Sequence, residues 1–289
     1  MPIPSGLLER IENLDPLPIT AQRLIEAMST GQVNVLTIKG IIEFDQAIAS
    51  NVLKLANSAL YGGLGGIHGV RDAVMRLGTS TVMNVALDEG LRVLRADAPM
   101  YELTEDDLWL HGAAASLAVE ELARESRGDK IPEFASIAAL IHDVGKLVIV
   151  RYMKNEVDAF IAHTRCERIT FVDAERKVLG CEHGEIGGAM ARKWNFPPPI
   201  IRAIEEHHIV PIREPDPTLD TVMLANLVAK TVGTGLGAEG MNFEIDLQAP
   251  RRLGIDNFAF DRVALRTSLR LSSLKRAYGI ADGQSGAVA

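Results

Sequence analysis

Residues 139–149 read ALIHDVGKLVI, an apolar run with His142, Asp143 and Lys146 inside it. Burying an imidazole or a carboxylate costs free energy unless the group is paired or bound to a cation. Of the seven histidines, His111, His142, His183, His207 and His208 fall in helical segments of the second half. A neutral imidazole is a good ligand for zinc, iron, manganese or nickel, and a neighbouring carboxylate suits a hard or borderline divalent ion. No pair of these histidines has the spacing of a single-helix zinc site. A shared site therefore has to be assembled from several helices, as in metal-binding bundles.

Each position has a reason to face inward. His111 lies in line with Ala114, Ala115, Ala118 and Leu122, and His183 with Ile186, Gly187, Met190 and Trp194. His207 follows Ile200 and Ile204, and His208 follows Ile201 and Ile204. On a continuous helix His142 and Asp143 stand about 100° apart. They either clasp one ion from two sides or bind one ion and one hydrogen-bond partner. A lone core histidine is more often satisfied by a carbonyl than by a metal, so the reading rests on the group. His68 and His163 read as surface or loop residues, and Cys181 as a small buried one. Gly145 and Gly187–Gly188 read as points of close helix packing. No Walker-type or dinucleotide-type glycine loop is present.

The elements that must position these side chains are helices throughout. Pro16 and Pro18 precede a helix over 20–28, and Ile38, Ile41 and Ile42 recur at helical spacing. Asp45 is a candidate cap for a helix carrying Ile48, Ala49, Val52, Leu53 and Ala56. The glycine-rich stretch 62–66 follows, read as a turn, hinge or binding loop. A helix pair then carries Val70, Val74 and Leu77 and, after Gly78–Thr79, Val82, Val85 and Ala86. Residues 95–106 (RADAPMYELTED) read as a linker or boundary. Five helices are expected near 107–124, 134–153, 168–179, 182–194 and 199–208. Pro197, Pro198 and Pro199 divide the last two. A further helix fits 218–232 with Thr218 as cap. Residues 233–250 are glycine-rich and irregular, a last helix fits 259–278, and the tail frays. Strand alternation is scarce, and the fold class is all-α.

The totals bound the function. The 289 residues allow one large or two small domains, and 47% hydrophobic with 24% charged residues is ordinary for a globular chain. A net charge of -8 argues against direct nucleic-acid binding and against an anionic membrane surface. Cys166 and Cys181 form no disulfide framework, and MPIPSGLLER has no basic segment followed by an apolar run. No stretch approaches the ~20 apolar residues of a membrane span. A cytoplasmic location is expected.

ALIHDVGKLVI resembles the signature of the HD superfamily of metal-dependent phosphohydrolases. LDPLP (14–18), VLKLANSALY (52–61) and VRDAVMRLG (70–78) resemble the HDOD family, a bacterial signalling branch of that superfamily. The resemblance covers about residues 7–232. It implies an HD-domain-like helical bundle with an N-terminal helical lobe. The expected division is 1–97 for the lobe, 98–232 for the bundle, and 233–289 for an irregular segment and a C-terminal helix packing on the module.

The resemblance also implies a ligand set. His111 matches the first histidine of the pattern, and His142 and Asp143 match its defining pair. His183, His207 and His208 match the additional histidines of phosphodiesterase members with two-metal sites. Where the pattern ends on an aspartate, MLANLVAK places Asn226, a neutral carbonyl in place of a charge. That loss weakens the hold on a divalent cation and on a hydroxide. The glycine-tyrosine-proline motif of the cyclic di-GMP hydrolases does not follow His208, where the chain reads IVPIREPDP. Lys146 matches a lysine that approaches substrate phosphate in catalytic relatives; alternatively it is a solvated or helix-end charge.

Two functions follow from the resemblance. One is a stand-alone, non-hydrolytic signalling protein that binds a partner protein or a nucleotide messenger, with a divalent metal (iron, manganese, nickel or zinc) as a structural or sensing element. The other is a metal-dependent phosphohydrolase acting on a nucleotide or phosphodiester, with Lys146 steadying the phosphate. A hydrogen-bonded polar core without either role is the structural reading of the same residues.

Overall fold

The structure, a computed structural model, describes residues 3–62, 66–128, 130–152, 160, 169–210, 212, 214–237, 240 and 246–280. Cys166, His163, most of the glycine-rich stretch 62–66 and the tail beyond 280 lie outside them. The described residues form helices and contain no strand, only an isolated bridge between Ala98 and Leu103.

The N-terminal helices are α1 (Ser5–Glu12), α2 (Ile19–Ser29), α3 (Val35–Ile42), α4 (Gln46–Ala56), α5 (Val70–Leu77) and α6 (Thr79–Leu91). Asp45 does cap α4, accepting the Ile48 amide at 3.1 Å. Buried Leu24, Ile38, Val52, Val74 and Leu87 fill the space between these helices.

The segment 95–106 is not a free linker. Pro99–Tyr101 forms a short 3-10 turn, and Met100 and Tyr101 are fully buried. Polar neighbours in the sequence hide these two anchors.

The bundle follows: α7 (Glu105–Glu125), α8 (Ala135–Ile141), α9 (Val144–Tyr152), α10 (Phe171–Leu179), α11 (His183–Lys193), α12 (Pro198–Glu206) and α13 (Pro217–Thr231). Thr104 and Asp107 cap α7 reciprocally, and three acidic residues in its first turn suit the positive end of the helix dipole. The cap of α13 is Asp216 rather than Thr218: Pro217 occupies the first helical position, and the Asp216 carboxylate accepts two amides.

The expected single helix over 134–153 is two helices, broken at His142–Asp143. The His142 Nδ1–H donates to the Ala139 carbonyl at 2.7 Å. That carbonyl is the one an uninterrupted helix would offer to the Asp143 amide. The same bond recurs where α12 ends: His207 Nδ1–H donates to the Ile204 carbonyl at 2.8 Å. In both places one histidine ring terminates a helix and turns its Nε2 inward.

After α14 (Ala249–Arg252), the long α15 (Asn257–Tyr278) packs along α7. Arg262 and Arg266 pair with Glu125, and Arg270 with the fully buried Glu121. One continuous hydrophobic core runs from α1 to α15.

Candidate metal centre

Asp143 is the hub. Its Oδ2 lies 3.5 Å from His111 Nε2 and 3.6 Å from His142 Nε2. Its Oδ1 lies 3.1 Å from His183 Nε2 and 3.6 Å from His207 Nε2. Because the helix breaks between them, His142 and Asp143 are not held about 100° apart on one cylinder, and both point into the same cluster.

The second nitrogen of each ring is already committed, which fixes the tautomers. A carbonyl only accepts, so His142 and His207 carry their proton on Nδ1 and present a bare Nε2. The Thr234 hydroxyl donates to the Ala229 carbonyl at 2.7 Å and so accepts from His111 Nδ1–H at 3.3 Å. Gly235, at φ +67°, lies against that ring: a Cβ there would come within 2.6 Å of His111 Cγ. His183 gives its Nδ1–H to Glu175, whose oxygens lie 2.7 and 2.8 Å away.

Glu175 is itself fully buried. It accepts the His183 backbone amide at 2.7 Å and the Tyr101 hydroxyl at 2.7 Å. Carboxylates behind ligating histidines orient the ring and raise its basicity. Thr170 caps α10, which carries Glu175, and Gly180 ends it in the left-handed region at φ 76°. Glu182 and Glu185 then cap α11, placing His183 at its first position. Sequence reasoning missed Glu175, Tyr101 and Thr234. The signal for Glu175 was its position one turn before the Gly180 break that leads to His183.

Gly145 allows α9 to approach α11: a Cβ at Gly145 would stand 1.9 Å from the His183 carbonyl oxygen. This contact is structural, as expected for that glycine.

Lys146 is not a solvated charge. It is 2% exposed, its Nζ lies 2.6 Å from Asp143 Oδ2, and it sits 5.7 Å from the ring centres of both Tyr101 and Phe171. Burial raises the Asp143 pKa, but Lys146 and then His142 outweigh it and hold the carboxyl well below its usual range. Burial, against a smaller contrary pull from Asp143, holds His142 at about 3 and His207 at about 4. It also holds His111 and His208 well below the ordinary imidazole value. His183 goes the other way: burial opposes its charge, but Glu175 and Asp143 overcome this and raise it to about 9.

The donor set fits a cation. His111 Nε2, His142 Nε2 and Asn226 Oδ1 are buried acceptors without a partner, and His208 Nε2 is a buried ring nitrogen without one. His183 Nε2 and His207 Nε2 lie 3.3 Å apart, two lone pairs that face each other unless a proton or a cation stands between them. Two groups have ligand atoms within 4.8 Å of one another: Asp143, His183, His207 and His208, and His111, His142 and Asp143. Asn226 shares a cavity wall with His207 and His208. Cys181 is buried nearby in sequence with its thiol pushed up to about 12 by burial, and supplies no ligand atom to either group. His68 is exposed.

The HDOD domain family model matches residues 14–210. The chain belongs to the HDOD family. A Treponema pallidum (strain Nichols) protein without assigned function is 26% identical over 241 residues, covering 78% of this chain and 44% of its own length. The HDOD chain thus spans less than half of that relative. Among solved structures, an HDOD domain protein of Geobacter sulfurreducens has a TM-score of 0.67 at 22% identity, covering 95% of this chain and 94% of that one. A Marinobacter aquaeolei VT8 protein, provisionally named for signal transduction, has a TM-score of 0.71 at 21% identity over 95% of this chain and 64% of that one. These likenesses establish the all-helical HDOD fold. No helix among the described residues is long and apolar enough to cross a membrane.

Proposed function

We propose that this chain is a non-hydrolytic regulatory HDOD protein in which Asp143, His183, His207 and His208 hold one divalent ion. The ion is iron, manganese, nickel or zinc. The chain acts by binding a signalling partner protein or a nucleotide messenger, and the ion fixes the packing of α9, α11 and α12 that the partner reads.

One observation carries this reading: the group around Asp143 Oδ1 supplies four protein ligands. For zinc, four protein donors complete the tetrahedral shell of a structural site, whereas catalytic zinc sites leave a position open for water or substrate. Charge points the same way. Asp143 is the single carboxylate in either group among the described residues, and Lys146 already draws on it. A second ion at His111 and His142 would bring two more positive charges with no further carboxylate to meet them, at a cost of several kcal/mol.

The hydrolase reading has one observation in its favour. Asp143 belongs to both groups, and a carboxylate shared in this way can bridge two ions that clamp a phosphate. Screening the chain, loaded with each of the four metals, against nucleotides and phosphodiesters separates the two. The regulatory reading predicts no more product than the Asp143→Ala chain gives. Turnover that disappears with Asp143→Ala would establish the hydrolase instead.

A further inference from the structure

The long helix α15 has two apolar faces, and the protein covers one. Ala259, Val263, Thr267, Leu271 and Leu274 are buried, chiefly against α7. On the outer side Phe258 is 76% exposed, and Leu265 and Leu269 are 62% exposed each. A single exposed leucine is ordinary, whereas apolar residues in line on one face, rimmed by polar ones, mark an interaction surface. These three belong to a run spaced four, three, four, three and four: Phe258, Arg262, Leu265, Leu269, Ser272 and Arg276. That is the seam spacing of a two-stranded coiled coil.

The seam is complementary to itself when reversed about Thr267. An antiparallel second copy sets Leu265 against Leu269, Phe258 against Arg276, and Arg262 against Ser272. Each layer then joins leucine to leucine, a ring to a cation, or a long side chain to a short one. A parallel copy would stack Arg262 on Arg262 and Arg276 on Arg276, and like charges held together repel. The unmatched charges fit the same pairing. Arg262 and Arg266 are held by Glu125, and Arg270 by Glu120 and Glu121. Arg276 donates to Ser273 Oγ at 2.9 Å, and neither it nor the exposed Asp261 has an ionic partner among the described residues. In the antiparallel pair Asp261 of each copy lies within a turn, about 4.5 Å along the axis, of Arg276 on the other. An anionic membrane suits this face less well, because three of its arginines are already neutralised and the chain carries a net charge of -8.

We propose that α15 is a self-association surface, through which two copies of this chain pair antiparallel about a twofold axis at Thr267. The contact is isologous and closes on itself, so it makes dimers and not filaments. Its 22 residues span about 33 Å. One helix face of that length is smaller than a standard interface, so the dimer is a weak one that forms at micromolar concentration. The surface shares no residue with the histidine cluster and stands whether or not the cluster holds metal.

The test is sedimentation equilibrium of the full chain from micromolar to near-millimolar concentration, with melting curves to establish that each variant is folded. The native mass should rise from monomer to dimer across that range. Leu265→Asn together with Leu269→Asn changes only exposed side chains and should leave a monomer throughout. Arg276→Asp should weaken the dimer about tenfold, because two acidic residues then face each other at both ends. Adding Asp261→Arg to that variant reverses both charges and should restore the native affinity, a rescue that only antiparallel self-pairing provides. A native chain that stays monomeric, a dimer indifferent to the paired leucine substitutions, or a charge reversal that fails to rescue overturns the proposal. So does a monomer that cosediments with phosphatidylglycerol vesicles and loses them on the leucine substitutions, which would assign the face to a membrane.

Discussion

Glu175 grips His183 twice, at the ring Nδ1 and at the backbone amide, both at 2.7 Å. One buried carboxylate thus sets the tautomer, the ring orientation and the first turn of α11 together. The Tyr101 hydroxyl holds the carboxylate in place.

Glu175→Gln removes the charge and keeps the shape. Metal affinity should fall about 10–100-fold, the usual cost of losing a carboxylate behind a ligating histidine. Tyr101→Phe should have a smaller effect in the same direction. Competition titration against a chromophoric chelator reads both. An unchanged affinity in Glu175→Gln would remove His183 from the ligand set.

The raised His183 pKa gives a pH dependence with a definite sign. Its folded value of about 9 lies above the ordinary 6.5. The charged ring therefore stabilises the metal-free fold fully below about pH 6.5, and that contribution is lost as pH rises through about 9. Metal uptake must displace the same proton. Affinity should rise about tenfold per pH unit up to about pH 9. Calorimetry in two buffers of different ionisation enthalpy counts the protons released; a pH-independent affinity over that range would contradict the assignment.

Asn226→Asp restores a carboxylate beside His208. An added negative charge near a cation site is worth about one pKa unit or more in comparable settings, so metal affinity should rise about tenfold. A titration indistinguishable from that of the native chain would mean that Asn226 does not face the ion.

Gly145→Ala should destabilise the protein with or without metal, because the new Cβ would stand 1.9 Å from the backbone oxygen of His183. Helices α9 and α11 must separate to admit it, at a cost of about 3 kcal/mol. Urea denaturation of chelator-treated protein measures this directly. Stability within error of the native chain would show that the two helices are not held this close.

Much of the site was readable because its residue types are costly to bury without a partner. Histidines on faces lined by Ala114, Ile186 and Ile204 could only be pointing into a core, and the HDVGK string tied them to one family. The break at His142 was not readable. Its cause is a ring bonding to the Ala139 carbonyl, and no proline or glycine precedes it to mark the spot. Glu175 looked like an ordinary charge on an amphipathic helix, and Tyr101 lay in a polar stretch that read as a linker. Tyr101 is fixed by its bond to Glu175 across 74 residues of sequence, which local patterns do not carry, whereas Glu175 reaches His183 only eight residues on. Thr234 and Gly235 reach His111 from a glycine-rich loop that appeared irregular.

The most direct measurement is elemental analysis of the full chain purified without air or chelator, alongside His183→Ala and His111→Ala. One equivalent of iron, manganese, nickel or zinc is expected in the native chain, lost in His183→Ala and kept in His111→Ala. Two equivalents in the native chain, or none after soaking in these ions, would contradict it.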